Sequence, residues 1–141
     1  MSYLEKIQQE GRYANPFFCL MGIEVVKSDP GTAVLKMEVR PDMLNGAGWL
    51  QGGMLAAIAD EAMALAIYPL LAPGEGIATI SESTSFIRGV KTGTIMAEGR
   101  VIRKGRRVAF TESEVYLAQE GVQEKAILSR TSAAFAITAE K

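Results

Sequence analysis

The sequence predicts an α+β domain in which a curved antiparallel sheet wraps around one long buried helix, and three observations predict it. Residues 54–71 form the one long apolar stretch, apolar on nearly every face of a helix, which is the pattern of a helix covered on nearly every side. The segments before and after it break at turn residues and read as strands. Four of these strands follow one another with tight turns, which favours antiparallel pairing. A single sheet covers only part of such a helix and leaves open edges, so a second copy of the chain is expected against it.

The elements follow in order. Residues 2–13 read as a short amphipathic helix, with Ser2 and Glu5 forming a capping box and Leu4 and Ile7 an apolar face. Asn15-Pro16 is expected to end it. Strands are expected over Phe17–Lys27 and Thr32–Arg40, joined by the turn Ser28-Asp29-Pro30-Gly31. The second alternates cleanly, with Ala33, Leu35, Met37 and Val39 on one side and Lys36, Glu38 and Arg40 on the other. A loop of small residues, Asn45-Gly46-Ala47-Gly48, leads to the central helix over residues 51–70. Strands are then expected near residues 76–88, 93–103, 108–118 and 124–137, with breaks at Gly93, at Arg103-Lys104-Gly105-Arg106 and at Gln119-Glu120-Gly121. Residues 1–141 read as one domain.

Composition removes several functions. The chain is 48% hydrophobic and 22% charged, with net charge −1, a balance that argues against nucleic acid as a partner. It has no histidine, which removes Ser-His-Asp and Cys-His hydrolase chemistry and histidine-based metal sites. The single Cys19 lies in the apolar run Phe17–Met21 and reads as a buried, inert thiol. Any chemistry must come from carboxylates, hydroxyls, amides and backbone dipoles. The first residues are mixed and charged, without a signal-peptide apolar core, so a cytoplasmic location is expected. The apolar stretch carries Asp60 and Glu61 near its middle and Pro69 near its end. Charges at that depth in lipid are costly, so a buried helix rather than a membrane span is expected.

Asp60 is the sharpest chemical feature. Ala56, Ala57, Met63 and Ala64 surround it one turn away on either side, and desolvation there makes a carboxylate a better base. The same pattern suits a structural acid paired with a basic group across an interface. Glu61 lies about 100° further round the helix and points elsewhere. Gly52-Gly53 opens the helix, where first-turn amides and the positive end of the dipole can polarise a carbonyl oxygen; two glycines also simply end a loop. The basic turn of Arg103, Lys104, Arg106 and Arg107, with Arg88 elsewhere, suits phosphate groups or merely keeps a hairpin solvated.

The run Asn45-Gly46-Ala47-Gly48-Trp49-Leu50-Gln51-Gly52-Gly53 through Asp60 resembles the signature of PaaI-type hotdog thioesterases: an Asn-Gly start, a His-Gly-Gly, then an acid eight residues after the first paired glycine. Phe86-Ile87-Arg88 is similar to the family's Phe-x-Arg-Pro strand end, and the resemblance spans residues 15–138. It implies a hotdog fold and hydrolysis of an acyl-CoA thioester without metal or redox cofactor, at a subunit interface of a homodimer commonly paired into a tetramer. It implies Asp60 as base or nucleophile, the Gly52 amide as carbonyl polariser and Asn45 as holder of the carboxylate or water. Thr79 aligns with a hydroxyl that in some members comes from the neighbouring subunit. Substrate contacts would fall to Gln51, Gly53, Arg88, Arg103, Lys104 and Arg106. Gln51 stands where the family has histidine, which leaves carbonyl polarisation intact and bears on substrate preference and rate. Its absence also argues against the family's acyl-chain hydrations and dehydrations, which use that histidine. Gly89 stands where proline is usual. The alternative on the same fold is a non-catalytic acyl-CoA or small-ligand binder.

Overall fold

The computed structural model describes residues 1–121 and 124–139. Helix α1 (Tyr3–Glu10) and a short 3-10 turn lead to helix α2 (Pro16–Met21); strands β1 (Glu24–Asp29) and β2 (Thr32–Glu38) precede the central helix α3 (Gly52–Ile67). Strands β3 (Glu75–Phe86), β4 (Thr94–Lys104), β5 (Val108–Leu117) and β6 (Ala126–Ala139) complete the chain. The six strands form one antiparallel sheet in the order β1-β2-β4-β5-β6-β3. Helix α3 touches every strand, β4 most extensively, so the sheet curls around it. This is the hotdog arrangement.

Local chemistry explains most elements. The Ser2 hydroxyl accepts from the Glu5 amide at 3.2 Å, starting α1. The turn between β1 and β2 closes the far end of α3, where the Ser28 hydroxyl donates to the Leu65 carbonyl at 3.1 Å and the Gly31 amide to the Ala66 carbonyl at 3.0 Å. These are carbonyls a helix end leaves without partners. Helix α3 lies directly on β4 at Gly99: a Cβ there would sit 2.5 Å from the Ala62 backbone. Leu55, Ile58, Ala59, Ala62, Met63 and Leu65 are buried beneath the sheet with Leu35, Ile95 and Phe135. Length and hydropathy alone would let Gly52–Leu70 cross a membrane; in this fold the sheet takes up its apolar faces.

Three expectations change. The strand expected over residues 17–27 begins only at Glu24, because Asn15-Pro16 starts a helix as well as ending one. The Asn15 side-chain oxygen accepts from the amides of Phe17 (2.9 Å) and Phe18 (3.2 Å), with Pro16 at the first helical position. Gly22 then closes α2 at φ +71°. Within α2 only Phe18 and Met21 reach the core, so Cys19 is exposed rather than buried, with its thiol against the Arg12 carbonyl at 3.3 Å. The central helix is also less enclosed than its composition implies. Ala56, Ala57, Asp60, Glu61 and Ala64 form a half-buried stripe along it.

The outer sheet face carries charge pairs: Arg100 with Glu112, Lys125 with Glu98 at 2.9 Å, and Arg130 with Glu114 at 3.9 Å. Edge strand β3 is different. Ile80, Phe86 and Ile87, on or just beyond it, are each more than half exposed.

Candidate active site

Asp60 sits midway along the half-buried stripe of α3. Its Oδ1 accepts a hydrogen bond from the Thr79 hydroxyl at 2.9 Å. The bond forms within one chain, so this pair needs no neighbouring subunit. Beside it opens a cavity of about 270 Å³, walled by Tyr3, Tyr68, Phe135 and Ile77 and bordered by Asp60, Thr79, Asn15 and Glu61. The wall is built locally: the Tyr3 and Tyr68 rings lie 4.9 Å apart, and the Asn15 amide donates to the Tyr3 hydroxyl at 2.8 Å. Burial, ahead of every other cause, pushes the Tyr3 hydroxyl up to about 12. Asn15 therefore caps α2 with its oxygen and fastens α1 over the cavity with its nitrogen.

Two acids join Asp60 that its sequence surroundings did not single out. Glu61 borders the same cavity, and burial, then the neighbouring Asp60 charge, raise its carboxyl to about 7. The angular offset along the helix is real, but the cavity is wide enough to meet both side chains. Glu82 is exposed on the open β3 edge, yet partial desolvation of its carboxyl first, and then a hydrogen bond and charge contact with Asp60, raise it to about 7. No spacing rule links Glu82 to Asp60; the signal was its strand position three residues after Thr79.

The other residues lie elsewhere. Gly52 opens α3, whose first residue Gln51 caps without a side-chain bond. Eight residues of helix put Gly52 about 12 Å from Asp60 along the axis. The Phe86 ring lies against Gly52, 3.2 Å from where a Cβ would be. Asn45 is at the same end, with its side-chain oxygen held by the amides of Ala47 (3.0 Å) and Trp49 (3.1 Å), so only its nitrogen side remains for a ligand. Gln51 and Gly53 are exposed; Gln51 borders a second, methionine-rich cavity of about 390 Å³ with Met21, Met43 and Met54. The Trp49 ring rests on Gly89, 2.8 Å from the position of a Cβ, which accounts for glycine there. Arg88, Arg103 and Arg106 are exposed, and Lys104 lies 3.9 Å from Glu75. The Lys104 rung continues through Ala109 and Phe135 to Thr79. The basic turn is thus level with Thr79, three strand spacings or about 14 Å away along the curled sheet.

The curled sheet and the helix it covers together define a hotdog-fold protein. The chain belongs to the thioesterase superfamily, whose family model matches residues 47–124. It is 30% identical over 103 residues to the acyl-coenzyme A thioesterase PaaI of Escherichia coli, covering 71% of this chain and 70% of that one. It is 28% identical over 94 residues to human acyl-coenzyme A thioesterase 13, covering 66% of each. A thioesterase family protein from Silicibacter pomeroyi shares its fold, with a TM-score of 0.85 at 18% identity over 98% of this chain and 99% of that one.

Proposed function

We propose that the protein hydrolyses acyl-CoA thioesters to free acid and CoA, with Asp60 as base or nucleophile. The observation that carries this reading is the Asp60–Thr79 pair at 2.9 Å on the wall of a partly aromatic cavity, in a chain of the thioesterase superfamily. Thr79 fixes the carboxylate by donating to Oδ1. The other oxygen is then positioned to take a proton from water or to attack the thioester carbon itself. With water as the nucleophile, Asp60 takes its proton as the new C–O bond forms, the C–S bond breaks and the sulfur leaves with the electron pair as CoA thiolate; with direct attack the same exchange leaves an acyl–Asp60 anhydride, which water then cleaves to the free acid and the restored carboxylate.

The Gly52 amide supplies the carbonyl-polarising donor in this reading. A thioester oxygen on Gly52 cannot also place its carbon at Asp60 of the same chain, because about 12 Å separates them. Pairing two copies resolves this. An antiparallel β3–β3 contact centred near Glu82 and Ser83 sets Thr79 of one chain level with Phe86 of the other. Gly52, which lies against Phe86, then comes to Asp60 of the second chain. The same contact covers the open β3 edge and its exposed Ile80, Phe86 and Ile87. The working unit is therefore a homodimer, with dimers pairing further as a tetramer. The acyl group enters the cavity beside Asp60, Gln51 and Gly53 line the thioester's approach, and Arg88, Arg103, Lys104 and Arg106 face the CoA phosphates. A CoA thioester substrate and a single cysteine fit a cytoplasmic setting.

The test is release of free CoA thiol from aliphatic and aryl acyl-CoAs by the wild type and Asp60→Asn. The expected result is turnover that falls at least about 100-fold in a folded variant. Undiminished turnover would remove Asp60 from the chemistry. A folded wild type inactive on the whole panel would instead point to the ligand-binding alternative.

A further inference from the structure

We infer that Glu82 is a positioning residue for Asp60: the two carboxyl groups share one proton, carried by Glu82, and the hydrogen bond it makes keeps Asp60 aimed at the substrate. This rests on the hydrolase reading above and adds a residue and a pH dependence to it.

The geometry comes from an irregularity in β3. Thr79 and Glu82 are three residues apart, and in a regular strand an odd separation sends two side chains to opposite faces. Against β6, however, Thr79 pairs with Phe135, Ser81 with Ala134 and Glu82 with Ala133. Ile80 is the extra residue of a β-bulge, and it is more than half exposed. The bulge turns Glu82 back to the inner face, because its rung partner Ala133, like Phe135, is buried there. Thr79 and Glu82 therefore approach Asp60 from the same strand and the same side. Bulges recur next to active sites because they re-aim a side chain in this way.

Two carboxyl groups joined by a hydrogen bond need a proton between them, since two ionised carboxylates at that range repel. Asp60 already accepts from Thr79. A second O–H donor, from Glu82, holds the Asp60 carboxylate from another side. The direction of the Glu82 shift agrees: partial desolvation first, then contact with Asp60, hold it protonated up to about 7. Among the described residues, the groups facing Glu82 add no compensating cation. Helix α3 presents Asp60, with Glu61 beyond it. Strand β6 presents Ala133, while Arg130 turns to Glu114 on the outer face. On its own strand, the Thr84 hydroxyl is bonded to that of Thr131 at 2.9 Å. In the proposed dimer the second copy's Glu82 would add a like charge near the axis, which acts in the same direction. Once pH exceeds about 7, Glu82 ionises, its hydrogen bond to Asp60 becomes a repulsion, and Asp60 loses its alignment.

The experiment is the pH profile of kcat and KM for acyl-CoA hydrolysis, from about pH 5 to about pH 9, for the wild type, Glu82→Gln and Glu82→Leu. Gln keeps a neutral N–H donor at every pH, whereas Leu has none. The wild type should lose kcat with a midpoint near 7. Glu82→Gln should stay within about threefold of wild type at low pH and hold that rate across the range. Glu82→Leu should lose about tenfold or more in kcat throughout, with KM little changed in either variant. An alkaline fall that persists in Glu82→Gln, or a Glu82→Leu as active as Glu82→Gln, overturns the inference and leaves the hydrolase reading intact. A folded wild type inactive on every acyl-CoA overturns both.

Discussion

Replacing Glu61 with glutamine should stabilise the protein, and by an amount that grows with pH. Glu61 is half-buried, beside Asp60, and burial first, then the Asp60 charge, raise its carboxyl to about 7 instead of the ordinary 4.5. The folded state therefore holds this proton more tightly than the unfolded chain does. The stability that the proton contributes is fully present below about pH 4.5 and is lost as pH rises through about 7. At 1.36 kcal/mol per tenfold difference, the ionised side chain costs the folded state about 3 kcal/mol at alkaline pH. Glutamine has the same shape and no charge to bury. An unfolding entropy of about 2.1 cal/mol/K per residue over 141 residues converts that energy to a Tm rise of about 10 °C. Thermal melts of both proteins at about pH 8 and about pH 5 provide the assay, and the gap should shrink to under about 1 kcal/mol at the lower pH. A gap that is the same at both values, or a variant less stable at pH 8, would refute the assignment of burial as the cause.

Two further substitutions probe how the site is built. Gly99→Ala forces a methyl to within 2.5 Å of the Ala62 backbone, where no flexible side chain can yield, and should cost about 3 kcal/mol or more by denaturant unfolding. A loss under about 0.5 kcal/mol would mean that α3 does not rest on β4 as described. Thr79→Val keeps the shape but removes the donor to Asp60; kcat should fall about tenfold with KM and melting temperature nearly unchanged, and a change confined to KM would contradict a role in aiming the carboxylate.

The architecture was legible because its main signals are one-dimensional. An apolar helix followed by four strands leaves few ways to bury that helix, but the sheet order was not legible, because β3 pairs with β6 at the far edge and not with β4, the strand that follows it. Asp60 stood out because a charge among alanines is conspicuous in sequence. The errors came where one segment carried two meanings. Phe17 to Met21 is uniformly apolar and fits strand or helix equally; Asn15-Pro16 decided for helix, and with it the exposure of Cys19. Glu82 was hidden because its position depends on a bulge, and a counting rule of two per strand repeat places it on the wrong face. Glu61 was set aside from its helical angle alone, although the cavity beside Asp60 reaches round to it. The role of the Ser28–Gly31 turn in closing α3 is a contact between segments some 35 residues apart, beyond the range of any local pattern.

If two copies of the chain share each active site, Asp60 from one and Gly52 from the other, mixing two inactive variants restores activity. Gly52→Pro removes the amide donor at a first-turn position where proline is well accommodated; Gly52→Ala, which adds a similar contact with Phe86 but keeps the amide, serves as the control. Asp60→Asn removes the carboxylate. After unfolding and refolding at equal concentrations, about half of the dimers contain one chain of each kind. If the site is shared, each mixed dimer has one intact site, and CoA thiol release should return to about a quarter of the wild-type rate, from two parents that are each nearly inactive. A mixture as inactive as its parents would contradict a shared site and place Asp60 and its carbonyl-polarising donor in the same chain.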